Sequence, residues 1–297
     1  MLHFIYDGKQ ASISDNQQSG NSVGMVCPNN SSYKVNLVTT LSFRSQKVKK
    51  ITNSLFPLLK SNLQKQVRRQ DIRAVETCRI MLEMNDFETL RRLCIIAAED
   101  VQITTETSVI AWLMAATSKD YLLSDHDKNF ILGYVTNLVY CISYTAFEGG
   151  DHTERDFSLE NIIESSFLQK GVLAGIYLRS CYGGLVGDIP MYINACYSAY
   201  QHGLRSFYEI RVPETELDFH PAAVDFHIYP KLCDLISSDT GLDSEIIKRV
   251  IWTCSSGINT RKNTPISEDD YQVWMVIEKS FKLHTLNYLA KITKMYF

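Results

Sequence analysis

The stretch DIRAVETCRIMLEMNDFETLRRLCIIAAED, residues 71–100, decides the fold class. Asp71 precedes Ile72, Val75, Cys78, Ile80, Met81 and Leu82, and Asp86 precedes Phe87, Leu90, Leu93, Cys94 and Ile96. Apolar residues at three- and four-residue spacings behind a capping residue predict amphipathic helices. The pattern extends to both sides. Ser54 stands before Leu55, Phe56 and Pro57, and proline is tolerated in a first helical turn. Thr104 or Thr105 stands before Val109, Ile110, Trp112, Leu113 and Met114. Such closely spaced starts leave tight loops, which make consecutive helices antiparallel neighbours. No motif repeats with this spacing, so a repeat protein is not predicted.

Working outward, Ser124 or Asp125 caps a long helix to Thr145, and Ser158 opens a helical stretch that ends at Tyr182-Gly183-Gly184. Asp188 with Pro190 begins a helix ending near Gly203. Residues 205–226, with Pro213 and Pro221, read as irregular. Asp243 or Ser244 starts a helix through Trp252. Ser267, with Asp270 three residues on, opens a final helix whose Trp274, Ile277, Phe281, Tyr288, Ile292 and Met295 form one apolar stripe. Residues 1–44 differ: Ser, Asn, Gln and Gly cluster between two β-prone runs, Leu2–Tyr6 and Tyr33–Phe43. The expected fold is therefore mostly α, a multi-helix bundle with a short β-prone or mobile N-terminal arm. The expected division is 1–44 for the arm, 45–147 for a basic helical subdomain and 148–297 for a second helical subdomain. The seam between the last two falls at the acidic Gly-containing loop from Glu148 to Asp156.

Composition excludes a disordered or collagenous chain: 45% of the 297 residues are apolar and 21% charged. A net charge of −3 excludes a uniformly basic nucleic-acid coat but not a basic patch. The eight cysteines show no C-x-x-C and no zinc-finger spacing, and most lie in apolar segments. Asn29 and Asn30 each begin an N-x-S sequon, and Met1–Lys9 has no signal-peptide pattern. The expectation is a reducing compartment, cytoplasmic or nuclear. Residues 129–147 carry no charge, close to a membrane-spanning length, but include Thr136, Asn137, Ser143 and Thr145. A buried central helix and no membrane is the expectation.

Charge is uneven along the chain. Arg44–Arg79 holds ten basic residues against two acids, whereas Glu214–Glu245 holds eight acids against one base, Lys231. Lys47, Lys49 and Lys50 come first, then Lys60, Lys65, Arg68, Arg69 and Arg73. A basic patch of this density can neutralise several phosphates, so Lys60, Lys65, Arg68, Arg69 and Arg73 are candidate nucleic-acid-binding residues. The same charges also suit a solvated helix face, or a face that docks on the acidic half of the chain.

A resemblance joins these residues. Gln64-Lys65-Gln66-Val67-Arg68-Arg69 is followed by Ala74, Met81-Leu82-Glu83, Asp86, Leu90-Arg91-Arg92-Leu93 and Ala97-Ala98-Glu99-Asp100-Val101. Over residues 63–119 this resembles the helical C-terminal collar of clamp-loader-like AAA+ ATPases, the family of bacterial replication-associated recombination protein A and the Werner-helicase-interacting ATPase. The resemblance implies a collar-like oligomerisation scaffold in replication, repair or other nucleic-acid work. It implies no ATPase, because no G-x-x-x-x-G-K-[ST] loop occurs, and Gln102 stands where the family has glycine. The residues themselves suggest a structural ion network, with Glu99 and Asp100 as partners for Arg91, Arg92 or Arg68.

Three features could carry chemistry. Asp218-Phe219-His220 recurs as Asp225-Phe226-His227, and two Asp with two His could form an acid/base pair or ligate a metal; a helix cap with two ordinary histidines fits equally. Gly183-Gly184-Leu185-Val186-Gly187 precedes a helix start, where backbone N–H groups could meet a phosphate, although Asp188 opposes this. Ser255-Ser256-Gly257 lies close before Arg261 and Lys262, suiting an anion contact or a helix C-terminus. The leading expectation is a non-catalytic helical protein that oligomerises, or holds a place in a complex, and acts on or beside nucleic acid. The alternative is a metal-dependent or acid/base hydrolase, or a nucleobase-processing enzyme, with Asp225 and His227 as catalytic residues and Arg261 near the pocket. A third is a module that binds another protein through the final helix. No cofactor is expected.

Overall fold

Two compact units make up the chain, and each is assembled from two separate stretches: Met1–Lys50 with Asn85–Val212, and Ile51–Met84 with Pro213–Phe297. The computed structural model describes all residues except 17–18, 29–31, 47–52, 142–156, 167–168, 184–187, 207–210, 258, 263 and 297. The chain is mostly helical with an N-terminal sheet. The units do not follow the linear division at 44/45 and 147/148. The helical hairpin of α1 (Leu55–Arg68) and α2 (Ala74–Met84) joins the C-terminal helices, because its polar groups find their partners there. The acidic loop from Glu148 to Asp156 lies outside the described residues, as does the lysine cluster at 47–50.

In the first unit, β1 (Leu2–Tyr6), β2 (Ala11–Ser14), β3 (Asn21–Val26) and β4 (Val35–Thr39) form one mixed sheet in the order β2-β1-β4-β3. β1 runs antiparallel to β2, with Phe4 opposite Ile13, and parallel to β4, with Phe4 opposite Leu37. The expected hairpin or mobile arm is thus a four-stranded sheet with Phe4, Tyr6, Val35 and Leu37 fully buried. β4 is a central strand whose neighbouring Leu37 and Val38 are both buried, so its apolar run does not alternate cleanly.

The unit also holds α3 (Asp86–Asp100), α4 (Thr107–Thr117), α5 (Asp125–Tyr140), α6 (Leu159–Glu164), α7 (Lys170–Ser180) and α8 (Asp188–His202); α4 and α7 pack on the sheet, and α3 and α8 pack on those helices. Asn85, not Asp86, caps α3, its side chain accepting from the Glu88 N–H. Every residue of α4 is buried, and Trp112 donates its indole N–H to the Phe4 carbonyl at 2.9 Å. Ser124 and Asp127 form a capping box at the start of α5. The buried Asp127 carboxylate also accepts from the Tyr6 and Tyr121 hydroxyls, each at 3.0 Å, pinning β1 to α5. Gly171 lets α7 lie on β2, since a Cβ there would come within 2.5 Å of the Ser12 Cα. The uncharged stretch is a buried helix up to Val139, and no helix among the described residues is long and apolar enough to cross a membrane.

The second unit adds to the α1–α2 hairpin a 3₁₀ turn (Pro221–Ala223), α9 (Leu232–Thr240), α10 (Ser244–Ile251), α11 (Asn259–Lys262) and α12 (Glu268–Tyr296). After Ile251, α10 widens into a π-helical turn, Trp252–Ser256. Leu232, Ile236, Ile247, Val250, Ile251, Ile277 and Phe281 form the core between α9, α10 and α12. The apolar stripe of α12 is therefore used inside its own unit, except for Met295, which is exposed. Ile277, Phe281 and Ile292 are buried, Trp274 packs on Phe281, and Tyr288 stacks on Tyr229.

Candidate functional site

The duplicated Asp-Phe-His words and the basic end of α1 come together in the second unit. Asn62, two turns into α1, is fully buried. Its amide donates to the Asp218 carbonyl at 2.8 Å and to Thr77 at 3.1 Å, and its oxygen accepts from the His220 N–H at 2.9 Å. Gln66, four residues on and so on the same face, also donates to the Asp218 carbonyl at 2.9 Å and accepts from Thr77. The first word is thereby strapped to α1 through its backbone. His220 Nδ1 accepts from the Ala222 N–H, which requires the unprotonated nitrogen. Burial and the nearby Arg69 push the His220 pKa down to about 4.

The second word meets α1 through charge. Lys65 lies 3.4 Å from Asp225, with 7% and 4% of their side chains exposed. The other Asp225 oxygen accepts the His227 N–H at 2.9 Å and lies 3.3 Å from His227 Nδ1. Burial alone would raise the Asp225 pKa, but the His227 hydrogen bond and the Lys65 charge outweigh it and hold it below the usual carboxylate value. The Lys65 ammonium also stands 5.8 Å from the Trp252 ring centre, within cation–π range.

Beyond Lys65 the arginines serve helix ends. The widened Trp252–Ser256 turn presents the Ser255 and Ser256 carbonyls, and Arg69 and Arg68 donate to them respectively. In return Arg261 donates to the Val67 carbonyl at 2.8 Å, near the C-terminus of α1. Each helix end so receives a guanidinium, which suits both the orphan carbonyls and the negative end of the helix dipole. Arg73 pairs with Asp71 at 2.6 Å and with Asp218. Lys60 is half-buried and lies over the Phe56 ring.

The structure therefore brings Asp225 and His227 into contact, places Lys65 on the same carboxylate, and sets Arg261 on a backbone carbonyl of α1. Lys65 and Arg68 are buried, Lys60 and Arg69 are half-buried, and Arg73 is exposed. Arg91 bonds Glu88 at 3.2 Å, a partner outside the expected network. Among the described residues, no group of three His, Cys, Asp or Glu side chains could hold a metal. The glycines at 184 and 187 lie outside the described residues. Two clefts, of about 510 and 590 Å³, both belong to the first unit, and neither is lined by Asp225, His227 or Arg261.

Sequence reasoning missed Asn62, Gln66 and Thr77. The available signal was amides spaced i, i+4 on a helix that otherwise buries leucines. Comparison of the chain with family models, with curated proteins and with solved structures finds no match.

Proposed function

We propose that the chain is a non-catalytic helical protein that works by associating with copies of itself, beside nucleic acid as the collar resemblance implies. The observation that carries the non-catalytic reading is the use made of the charged residues. Lys65 is paired with Asp225, Arg68 caps Ser256 and Arg261 caps Val67, so these groups fasten their own unit. Self-association is supported by α12, which packs one face on its unit and leaves Met275, Val276, Leu283 and Leu286 more than half exposed. For nucleic acid, Arg73 keeps 44% of its side chain in solvent, and Lys60 and Arg69 are partly exposed.

The test has two arms. Sedimentation equilibrium is expected to give a mass that is a multiple of 33.9 kDa. Fluorescence anisotropy with single-stranded and duplex oligonucleotides is expected to show binding near 50 mM salt that weakens steeply by about 200 mM. A monomer at all concentrations removes the assembly reading, and no binding at low salt removes the nucleic-acid setting.

One observation favours the hydrolase alternative. Asp225 stands behind His227 as an orienting carboxylate, and 64% of the His227 side chain is exposed. Under that reading a screen of phosphodiester, ester and nucleobase-amine substrates finds an activity that His227→Ala abolishes without loss of folding. An activity untouched by His227→Ala would exclude it.

A further inference from the structure

Arg179, one residue before the end of α7, is a buried cation, with 1% of its surface exposed. Its Nη1 donates to the Gly183 carbonyl at 2.9 Å, and the Tyr192 ring of α8 is centred 5.1 Å from the guanidinium carbon. Nε and Nη2 are closed to solvent and bond nothing, and the Tyr192 hydroxyl is likewise buried without a hydrogen-bond partner. Nε and Nη2 share one edge of the planar guanidinium. Their N–H groups point the same way and form the fork that meets two oxygens of one carboxylate or phosphate. The Tyr192 ring attracts the cation through its face but accepts no hydrogen bond from that edge.

No neighbour supplies the counter-charge. Among the described residues no carboxylate bonds Arg179, whereas the buried Lys65 has Asp225. The Cys94 thiol of α3 feels the guanidinium, yet burial pushes its pKa up to about 11, so it stays protonated. Burial also raises the Tyr192 phenol, which keeps its proton and remains a donor. Glu99, on the same helix as Cys94, acts on that phenol through space and makes no bond to Arg179. A buried charge left without a counter-charge is costly, so the arrangement calls for an anion from outside the chain.

We infer that the Nε–Nη2 edge of Arg179, with the Tyr192 hydroxyl, is a binding site for a small oxyanion, a phosphate or a carboxylate. The guanidinium edge holds two oxygens of the ion, and Tyr192 donates to the same group. Entry is by the turn Cys181–Gly183, which is half-buried and carries the carbonyl that holds Nη1. The site lies within the first unit and depends neither on self-association nor on the basic stretch of α1.

The test is urea denaturation of the full chain, first unfolded and refolded in chloride buffer to strip bound ions. Inorganic phosphate or acetate is then added at millimolar concentration, with sodium chloride at matched ionic strength as the control. The wild-type midpoint should rise with the logarithm of the phosphate or the acetate concentration, and the arm that acts names the ion. Arg179→Met, of similar length and no charge, should lose that rise. In chloride alone it should be at least as stable as wild type, because an uncompensated buried charge has gone. Arg179→Lys keeps the charge without the fork and should weaken binding by at least about 10-fold. Tyr192→Phe removes one donor and should weaken it by about 5-fold. A wild-type midpoint that neither ion raises above the chloride control overturns the site, as does a rise that Arg179→Met retains. An Arg179→Met chain that fails to fold, or is much less stable than wild type in chloride, also overturns it, because the protein then satisfies the guanidinium by itself.

Discussion

Lys65 and Asp225 form an ion pair at 3.4 Å that is almost wholly removed from solvent, joining the last turns of the first helix in the second unit to the loop before α9. A buried pair of this kind contributes little over a well-packed apolar pair, yet breaking it strands a charge. Lys65→Met is expected to destabilise the chain by about 3 kcal/mol. Adding Asp225→Leu to it should recover a large part of that loss. Chemical denaturation of the two variants beside wild type checks both signs.

Acid is expected to weaken the same region. The folded state holds His220 near pKa 4, below the unfolded 6.5, so between these values the unfolded chain binds more protons and stability falls as pH drops. Asp225 and Asp71 are held below 3.8 in the folded state, so their contribution is present above that value and is lost as pH falls through it. Denaturant midpoints measured from pH 7 to pH 4 should therefore decline. His220→Asn, which keeps an acceptor for the Ala222 N–H but cannot titrate, should flatten most of that decline.

Substitutions in the basic stretch should separate into two classes. Lys65→Ala and Arg68→Ala are expected to lower the melting temperature, because their partners are internal. Lys60→Ala with Arg73→Ala should lower the melting temperature less than either of these, since the Arg73 pairs are solvent-exposed, and should reduce the salt slope of oligonucleotide binding by about one unit per lost phosphate contact. Thermal melts and anisotropy titrations at several salt concentrations distinguish the classes.

In the first unit, Asp127 receives hydrogen bonds from two buried phenols and from Ser124. Asp127→Asn replaces one of the two accepting oxygens with an NH2 donor, which then faces one of those hydroxyls, and a loss of about 2 kcal/mol is expected. Tyr6→Phe removes one donor only and should cost about 1 kcal/mol. Denaturation curves of the two variants, compared pairwise, give the ordering.

Helices with a cap and a one-sided apolar pattern were legible in the sequence. Ser124, Asp243 and Ser267 all cap where the spacing predicts, because a cap and its first turn are local. Helix α9 was not legible, since Leu232, Cys233 and Ile236 are a short stripe among Asp and Ser whose burial depends on α12. The stretch after Ser158 reads as one helix and folds as two, α6 and α7. The sheet was half legible: the β-prone runs stand out, but pairing Phe4 beside Leu37 is a long-range choice. At the candidate site the duplicated word marked the segment that meets α1. Its chemistry was not legible, because Asp225 owes its state to His227 and Lys65 together, and a basic run looks the same in sequence whether it faces phosphate or a buried carboxylate.

The division of the second unit into 51–84 and 213–297 sets an order of events during synthesis. The α1–α2 hairpin leaves the ribosome with Lys65, Arg68 and Asn62 in water, and their partners between Asp218 and Arg261 follow only after all of Asn85–Val212 has been made. The ends of that long insertion must be brought together before the unit can close, at an entropic cost that grows slowly with its length. The intervening stretch, with the N-terminal strands already present, has what it needs to fold first and shorten the span. The nascent chain therefore carries an unclosed, positively charged hairpin through the middle of its own translation, and the acidic segment that meets it arrives only afterwards.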